Sequence, residues 1–356
     1  MIRIGYLAFA QAHQHLHWLP SALRLAQEPG IEVHVLSASR ASLDFIRGFD
    51  PQGLLTLRHF PTPALRRDGL FSPPRRRLAL LLHHRAIGRF ETIVTTEATC
   101  SLLKRIPFFR SRLIYMMHGA GDGEGGYNPK LVRFDTILVT GTKDRQRLIA
   151  RGLGSEDNIA VTGYAKFELV RAPMPIFADH KPMALYNPHS NECLSSWFGH
   201  ASAIVAAMRQ KLTWNFVLAP HVKLDPRARI AGNAPNLLID YGSVRSIDMS
   251  YTDAASVYIG DVSSQVYEFI RRPRPCIFLN LDRIDWRADE AYAHWHFGQV
   301  IEDVADLGPA LDRAGALQPQ YEALQRAALA RSIDTSPIAA SERQAQAILA
   351  LARSSG

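Results

Sequence analysis

Cysteine is nearly absent from this chain of 356 residues, and the three present (Cys100, Cys193 and Cys276) are an odd, scattered set. That usage argues against a disulfide framework and against compact zinc spacing, and predicts reduced thiols in a cytoplasmic protein. Long apolar runs are missing too. Stretches such as residues 78–82 fall far short of the ~20 residues a membrane span needs. The first residues, Met1-Ile2-Arg3-Ile4-Gly5-Tyr6-Leu7, have strand character without the charged-then-apolar layout of a signal peptide. No internal repeat or low-complexity tract interrupts the chain.

Acids are scarce in one place. The formal charge is +8, from 41 Lys and Arg against 33 Asp and Glu. The excess concentrates between residues 66 and 89, where Arg66, Arg67, Arg75, Arg76, Arg77, Arg85 and Arg89 stand with His83 and His84 against Asp68 alone. Residues 78–82 lie inside this segment and give it an apolar face. Such an element is either a solvated basic helix covering a core or a surface that docks on anionic lipid. Nucleic acid is not expected as a partner, because no aromatic interleaving accompanies the charge.

What the chain does have is alternation. Strand-like runs at 2–9, 32–37, 54–60, 92–96, 113–117 and 136–140 exchange with helix-period segments at 15–27, 75–88, 100–105 and 143–151. Pro173, Pro175 and Pro182 break the pattern. It then restarts with strands at 183–186, 216–219, 237–241, 256–259 and 276–279, a long helix at 195–211, and two helices near 307–314 and 319–330. The length suits two domains: an N-terminal one over 1–172 and a C-terminal one over 183–338. A last helix, 339–356, is expected to pack back on the first. The fold class is α/β, two doubly wound Rossmann-like domains facing across a cleft.

Asp261-Val262-Ser263-Ser264 closes the apolar run 256–260 and opens a helical segment, 265–271. A first helical turn leaves backbone N–H groups without partners and carries part of a positive charge, so a strand feeding into it makes a phosphate pocket. Glu268 is placed to take a ribose hydroxyl. The competing reading is an ordinary N-cap. His118 ends the strand 113–117 and precedes a glycine-dense loop, Gly119 to Gly126, that carries Asp122 and Glu124. This position suits a general base, with one of those acids assisting. His189 and His221 follow two second-domain strands, with Lys223 close by, where they can offset the charge of a departing nucleotide. His13, His15 and His17 follow the first strand, and His13 and His15 are assigned to the acceptor side with Gly119 and Asp122. Tyr292, His294, Trp295 and His296 form either a base-stacking cluster or a packed loop. No metal ligand set is expected.

At His118-Gly119, Thr162-Gly163-Tyr164, His221 and Asp261-Val262-Ser263-Ser264 with Glu268, the chain resembles the CDP-glycerol glycerophosphotransferase family. Tyr164-Ala165-Lys166-Phe167-Glu168 stands where that family carries a proline and an Arg-Asn-Asp run. The resemblance implies a GT-B fold, a nucleotide diphosphate donor (CDP- or UDP-linked) held by the second domain at Ser263 and Ser264, His221 stabilising it, and His118 as base. The expected activity is a transferase, peripheral to the inner face of the cell membrane. It would move a glycosyl or alditol-phosphate group to an envelope polymer or lipid acceptor without a cofactor. The alternatives are a hydrolysing nucleotide-sugar 2-epimerase and a catalytically inactive GT-B-like binding protein. Oligomeric state is left open.

Overall fold

The computed structural model describes residues 1–63, 68–169 and 175–354. Arg66, Arg67 and the hinge residue Pro173 lie outside them. The chain divides into two compact units, Met1–His118 with Gly125–Leu169 and Arg331–Gly356, and Gly119–Glu124 with Val170–Ala330.

The first unit is built on seven parallel strands: β1 (Ile2–Leu7), β2 (Ile31–Ser37), β3 (Thr56–His59), β4 (Thr92–Thr95), β5 (Arg112–Met116), β6 (Thr136–Val139) and β7 (Ile159–Val161), in the order β3-β2-β1-β4-β5-β6-β7. A sheet covered on both faces needs apolar side chains on both, and these strands supply them at period two. Ile114 and Met116 enter one core with Ile4, Tyr6 and Trp18, whereas Leu113 and Tyr115 enter the opposite one with Leu7 and Ile93. The connecting helices are α1 (Ala12–His15), α2 (Leu19–Leu25), α3 (Arg40–Arg47), α4 (Arg76–Ile87) and α5 (Thr142–Ala150).

The second unit carries six parallel strands: β8 (Met183–Asn187), β9 (Asn215–Leu218), β10 (Leu237–Ile239), β11 (Val257–Gly260), β12 (Cys276–Leu279) and β13 (Gln299–Ile301), in the order β10-β9-β8-β11-β12-β13. Its helices are α6 (Ala201–Gln210), α7 (Ser250–Ala254), α8 (Gln265–Phe269) and most of α9 (Leu307–Ser332). The first strand of this unit is flanked by β9 on one side and β11 on the other, so the strand order reverses there. In open α/β sheets, ligands bind outside the carboxyl ends at such a point. The last helix, α10 (Ala340–Arg353), belongs to the first unit, where Ala345, Ile348 and Leu349 join the core around Trp18.

Several sequence expectations are corrected. The helix expected over 15–27 is two short ones, α1 and α2, with Pro20 in the first turn of the second. The helix expected from Ser195 begins only at Ala201, because Ser195, Ser196 and Trp197 form a turn whose polar groups serve Asp261. The two helices expected on either side of residues 315–318 are one, continuous through Pro319. Gln325 holds its second half in place, its buried amide donating to Arg274 O at 2.9 Å and Phe297 O at 3.0 Å. Domain limits shift as well. Residues 119–124 cluster with the second unit, and residues 331–338 with the first, where Thr140 Oγ1 donates to Ser332 O at 2.8 Å.

Candidate functional site

In the second unit, the loops after β8, β9 and β11 are tied to one another by two buried side chains. Asn187, at the end of β8, donates to Ala219 O at 2.6 Å and accepts from Ser263 Oγ at 2.9 Å and Tyr258 OH at 3.3 Å. Asp261 accepts from His189 N at 3.1 Å, from Ser196 Oγ at 3.0 Å and from Ser196 N. Burial raises its carboxyl to about 6, against the pull of those donors. Asp261 was expected among the donor-binding residues. It is instead 2 % exposed and occupied in shaping the His189 loop. Glu268, expected on a ribose hydroxyl, is buried at 4 %.

Two imidazoles stand on this scaffold. His189 Nδ1 accepts from Asn191 N at 3.0 Å and His221 Nδ1 accepts from Lys223 N at 3.2 Å. A neutral histidine that accepts at Nδ1 carries its proton on Nε2, so each ring is set as an Nε2–H donor. Their centroids are 5.8 Å apart. Burial, and then the Lys223 charge, push His189 below the ordinary histidine range. Two donors and an exposed ammonium at the carboxyl ends of β8 and β9 are suited to anionic oxygens.

The junction at Ser263-Ser264 differs from its expected form. α8 has five residues, too few for much of a dipole, and Ser264 makes no side-chain cap. Ser263 Oγ, besides bonding Asn187, accepts from Gln265 N at 3.3 Å. Across this turn lies the glycine loop. A Cβ at Gly119, whose φ is +145°, would sit 3.3 Å from Ser264 Oγ; one at Gly121 would sit 3.0 Å from Ser264 Cβ and 3.2 Å from Ser264 Cα. Glycine is required there because the two backbones touch. Asp122 fastens the loop: Tyr267 OH donates to it at 2.7 Å, and His294 Nδ1 lies 3.0 Å from its Oδ2. Asp122 was expected on the acceptor side, assisting His118. Its carboxylate is buried in the second unit and engaged by these two residues.

In the first unit a second group of histidines gathers at the carboxyl ends of β1 and β5. His13 on α1 and His17 in the turn that follows it lie 6.4 and 6.3 Å from the His118 ring. Tyr164 meets His17 edge-on at 5.0 Å. Burial, then the charges of Lys166 and His118, hold His17 well below the ordinary range, so it is neutral. His15 points elsewhere. It is wholly buried beside Trp18, at 5.6 Å, which corrects its assignment to the acceptor side. His17, from the turn after α1, stands beside His118 in its place.

Tyr292, His294 and Trp295 are buried against Phe278 and Trp286, a packed loop rather than an open stacking platform. Among the described residues, no group of three or more His, Cys, Asp or Glu side chains is arranged to hold a metal ion. No helix among them is long and apolar enough to cross a membrane.

No family model and no curated protein sequence matches the chain. Solved structures do. The wall teichoic acid polymerase TagF aligns over 99% of this chain and 89% of its own, with a TM-score of 0.66 at 12% identity. The UDP-GlcNAc 2-epimerase from Neisseria meningitidis aligns over 98% and 100%, with a TM-score of 0.66 at 13% identity. The calicheamicin glycosyltransferase CalG4 aligns over 98% of each chain, with a TM-score of 0.55 at 14% identity. At such identities the likeness speaks for architecture: this chain has the GT-B fold, with two parallel-sheet domains.

Proposed function

We propose that this chain is a nucleotide-diphosphate-dependent GT-B transferase whose second unit holds the donor nucleotide and whose first unit presents the acceptor. The observation that carries this reading is the His189–His221 pair, fixed as two Nε2–H donors beside Lys223 at the point where the second sheet reverses its strand order. These groups, with Ser263 and Ser264, offset charge on a departing nucleotide. His118 takes the proton of an acceptor hydroxyl, which attacks either phosphorus or an anomeric carbon of the donor. The structures of similar fold support a nucleotide-linked donor: TagF was soaked with CDPG and the meningococcal epimerase was bound to UDP-GlcNAc. An epimerase needs acids for proton abstraction, and Asp122, one of the two acids of the glycine loop, is held by Tyr267 and His294, which favours the transferase.

Thermal-shift screening against CDP-, UDP-, GDP- and dTDP-linked donors tests this reading. A ligand at ~100 times its dissociation constant stabilises by about 2.7 kcal/mol. Ser264→Ala separates binding from folding, since Ser264 caps nothing. Loss of a hydrogen bond to a charged group, about 1.5–3 kcal/mol, should weaken the nucleotide roughly tenfold or more with an unchanged melting temperature. Wild-type affinity in Ser264→Ala would remove that serine from the donor site.

The membrane-facing part of the proposal rests on α4. Leu81 and Leu82 are more than half exposed on it, among exposed Arg77, Arg85 and Arg89. Phe109 packs against Gly88 at the end of this helix, and its neighbour Phe108 is 93% exposed. Arg76 faces inward, paired with Glu97 and donating to Phe9 O, so it takes no part. Each basic residue near an anionic surface contributes about 1 kcal/mol. Arg75, Arg77 and Arg85 changed together to Gln should therefore lower binding to phosphatidylserine vesicles about a hundredfold at low salt, and less at high salt. Unchanged co-sedimentation returns α4 to the role of a solvated face.

A further inference from the structure

Between residues 69 and 121 the chain holds nine Arg and Lys against two acids, Glu91 and Glu97. Five of the cations precede β4 and four follow it, so the basic segment read at 66–89 has a second half at 104–112. The fold lays the two halves side by side. Ile106 and Phe109 pack on the core that takes Leu80 and Ile87 of α4, and a Cβ on Gly88 would sit 3.5 Å from the Phe109 ring. Both acids are occupied: Glu97 is paired with Arg76, and Glu91 accepts from Arg3 N at 3.3 Å. Lys104 is engaged by Asp135 at 2.7 Å. Arg77, Arg85, Arg89, Arg105 and Arg110 are left exposed.

At the tip of the second half, Ile106 to Phe109 form a β-turn closed by Phe109 N, which donates to Ile106 O at 3.2 Å. Pro107 stands at its second position and Phe108 at its third, with φ +65°. Proline cannot take the positive φ of a primed turn, so this is the type II turn, whose third position calls for glycine or asparagine. Phenylalanine is strained there, because its Cβ crowds the backbone at positive φ. The strain secures no packing within the protein, since Phe108 is 93% exposed. On the neighbouring helix Leu81 and Leu82 are exposed as well. An aromatic side chain that brings the fold both strain and bare apolar surface has its partner outside the fold.

We propose that Phe108 is an interfacial anchor, its ring entering the acyl boundary of an anionic bilayer while Arg77, Arg85, Arg105 and Arg110 hold lipid headgroups around it. The partner follows from the chemistry of the face. Unopposed guanidinium groups beside exposed Leu81, Leu82 and Phe108 match phosphate lying above hydrocarbon, the order that a lipid surface presents. The part of α4 in this face rests on the membrane reading given above. The anchor adds an apolar contribution that salt does not screen.

Phosphatidylcholine vesicles containing phosphatidylserine test the anchor. Phe108→Trp places an indole at the tip, and its emission, taken as the difference from wild type, should be quenched by lipids brominated on their acyl chains. Phe108→Gly suits the type II turn, so it should melt no lower than wild type. It should nevertheless bind vesicles roughly ten- to a hundredfold more weakly, the loss expected when a Phe side chain no longer leaves water. That loss should persist at high salt, where the contribution of the arginines fades. An unquenched indole, or a Phe108→Gly protein that binds vesicles like wild type, overturns the proposal. Loss of self-association in Phe108→Gly, seen by sedimentation with vesicle binding intact, also overturns it and makes this face a contact between copies. The variant with Arg75, Arg77 and Arg85 changed to Gln separates the two readings. If it loses binding and Phe108→Gly does not, α4 docks on lipid and the anchor falls. If Phe108→Gly alone loses binding, the anchor stands and α4 is a solvated face. A wild type that binds no vesicles overturns both.

Discussion

His118→Ala is expected to cut turnover by roughly 10²–10⁴-fold, the usual contribution of a general base, with nucleotide affinity nearly unchanged. The asymmetry follows from where the residue stands. His118 follows β5 of the first unit and gathers with His13 and His17, both within 6.4 Å of its ring, whereas the donors proposed for the nucleotide belong to the second unit. His17 is kept neutral by burial and by neighbouring positive charge, so it does not compete for the proton. His221→Ala should behave differently. A residue on the leaving diphosphate acts in both ground and transition states, so affinity and rate fall together. Single-turnover rates and nucleotide titrations on both variants decide the matter. Normal turnover of His118→Ala at saturating acceptor would make that histidine structural and move the base to His13, the remaining half-buried imidazole of the group.

Most strands were legible because parallel strands buried on both faces write themselves as short apolar runs, such as Leu113 to Met117, whereas the three-residue β7 and β13 were too short to stand out. The carboxyl-end histidines were legible for the same reason: once a strand's end is found, the residue after it is found. Side-chain allegiance was not. Nothing in Gly119 to Gly126 says that Asp122 is claimed by Tyr267 and His294, residues more than a hundred positions away. Asp261 looked like a cap or a ligand because aspartate before a helix is usually one or the other. Its partners, His189 N and Ser196, are brought to it only by the pairing of β8 with β11. The Ser195 helix start was misplaced by the same cause, since local propensity is blind to a distant carboxylate.

The acid stability of the fold should be governed by His15. Its ring is fully buried on α1 against Trp18, and neither nitrogen has a hydrogen-bond partner. Burial lowers it to about 3, whereas an unfolded chain protonates histidine near its ordinary 6.5. Between those values the unfolded state binds the extra proton, so stability rises with pH across the window and is lost as pH falls below about 6.5. The full shift corresponds to about 5 kcal/mol as a ceiling, at ~1.4 kcal/mol per unit. Asp261 works the other way: its carboxyl, raised to about 6, stabilises the fold most at low pH and gives that up as pH rises through 6. That opposing effect amounts to about 3 kcal/mol at most, so His15, reinforced by the lowered His17, sets the sign. His15→Leu removes a buried polar ring without partners, and should raise the melting temperature at pH 7 and flatten its decline between pH 6.5 and 4. Thermal melts at half-unit intervals measure both effects. A decline as steep in His15→Leu as in the wild type would place the acid lability in another group, with His17 the first to be replaced.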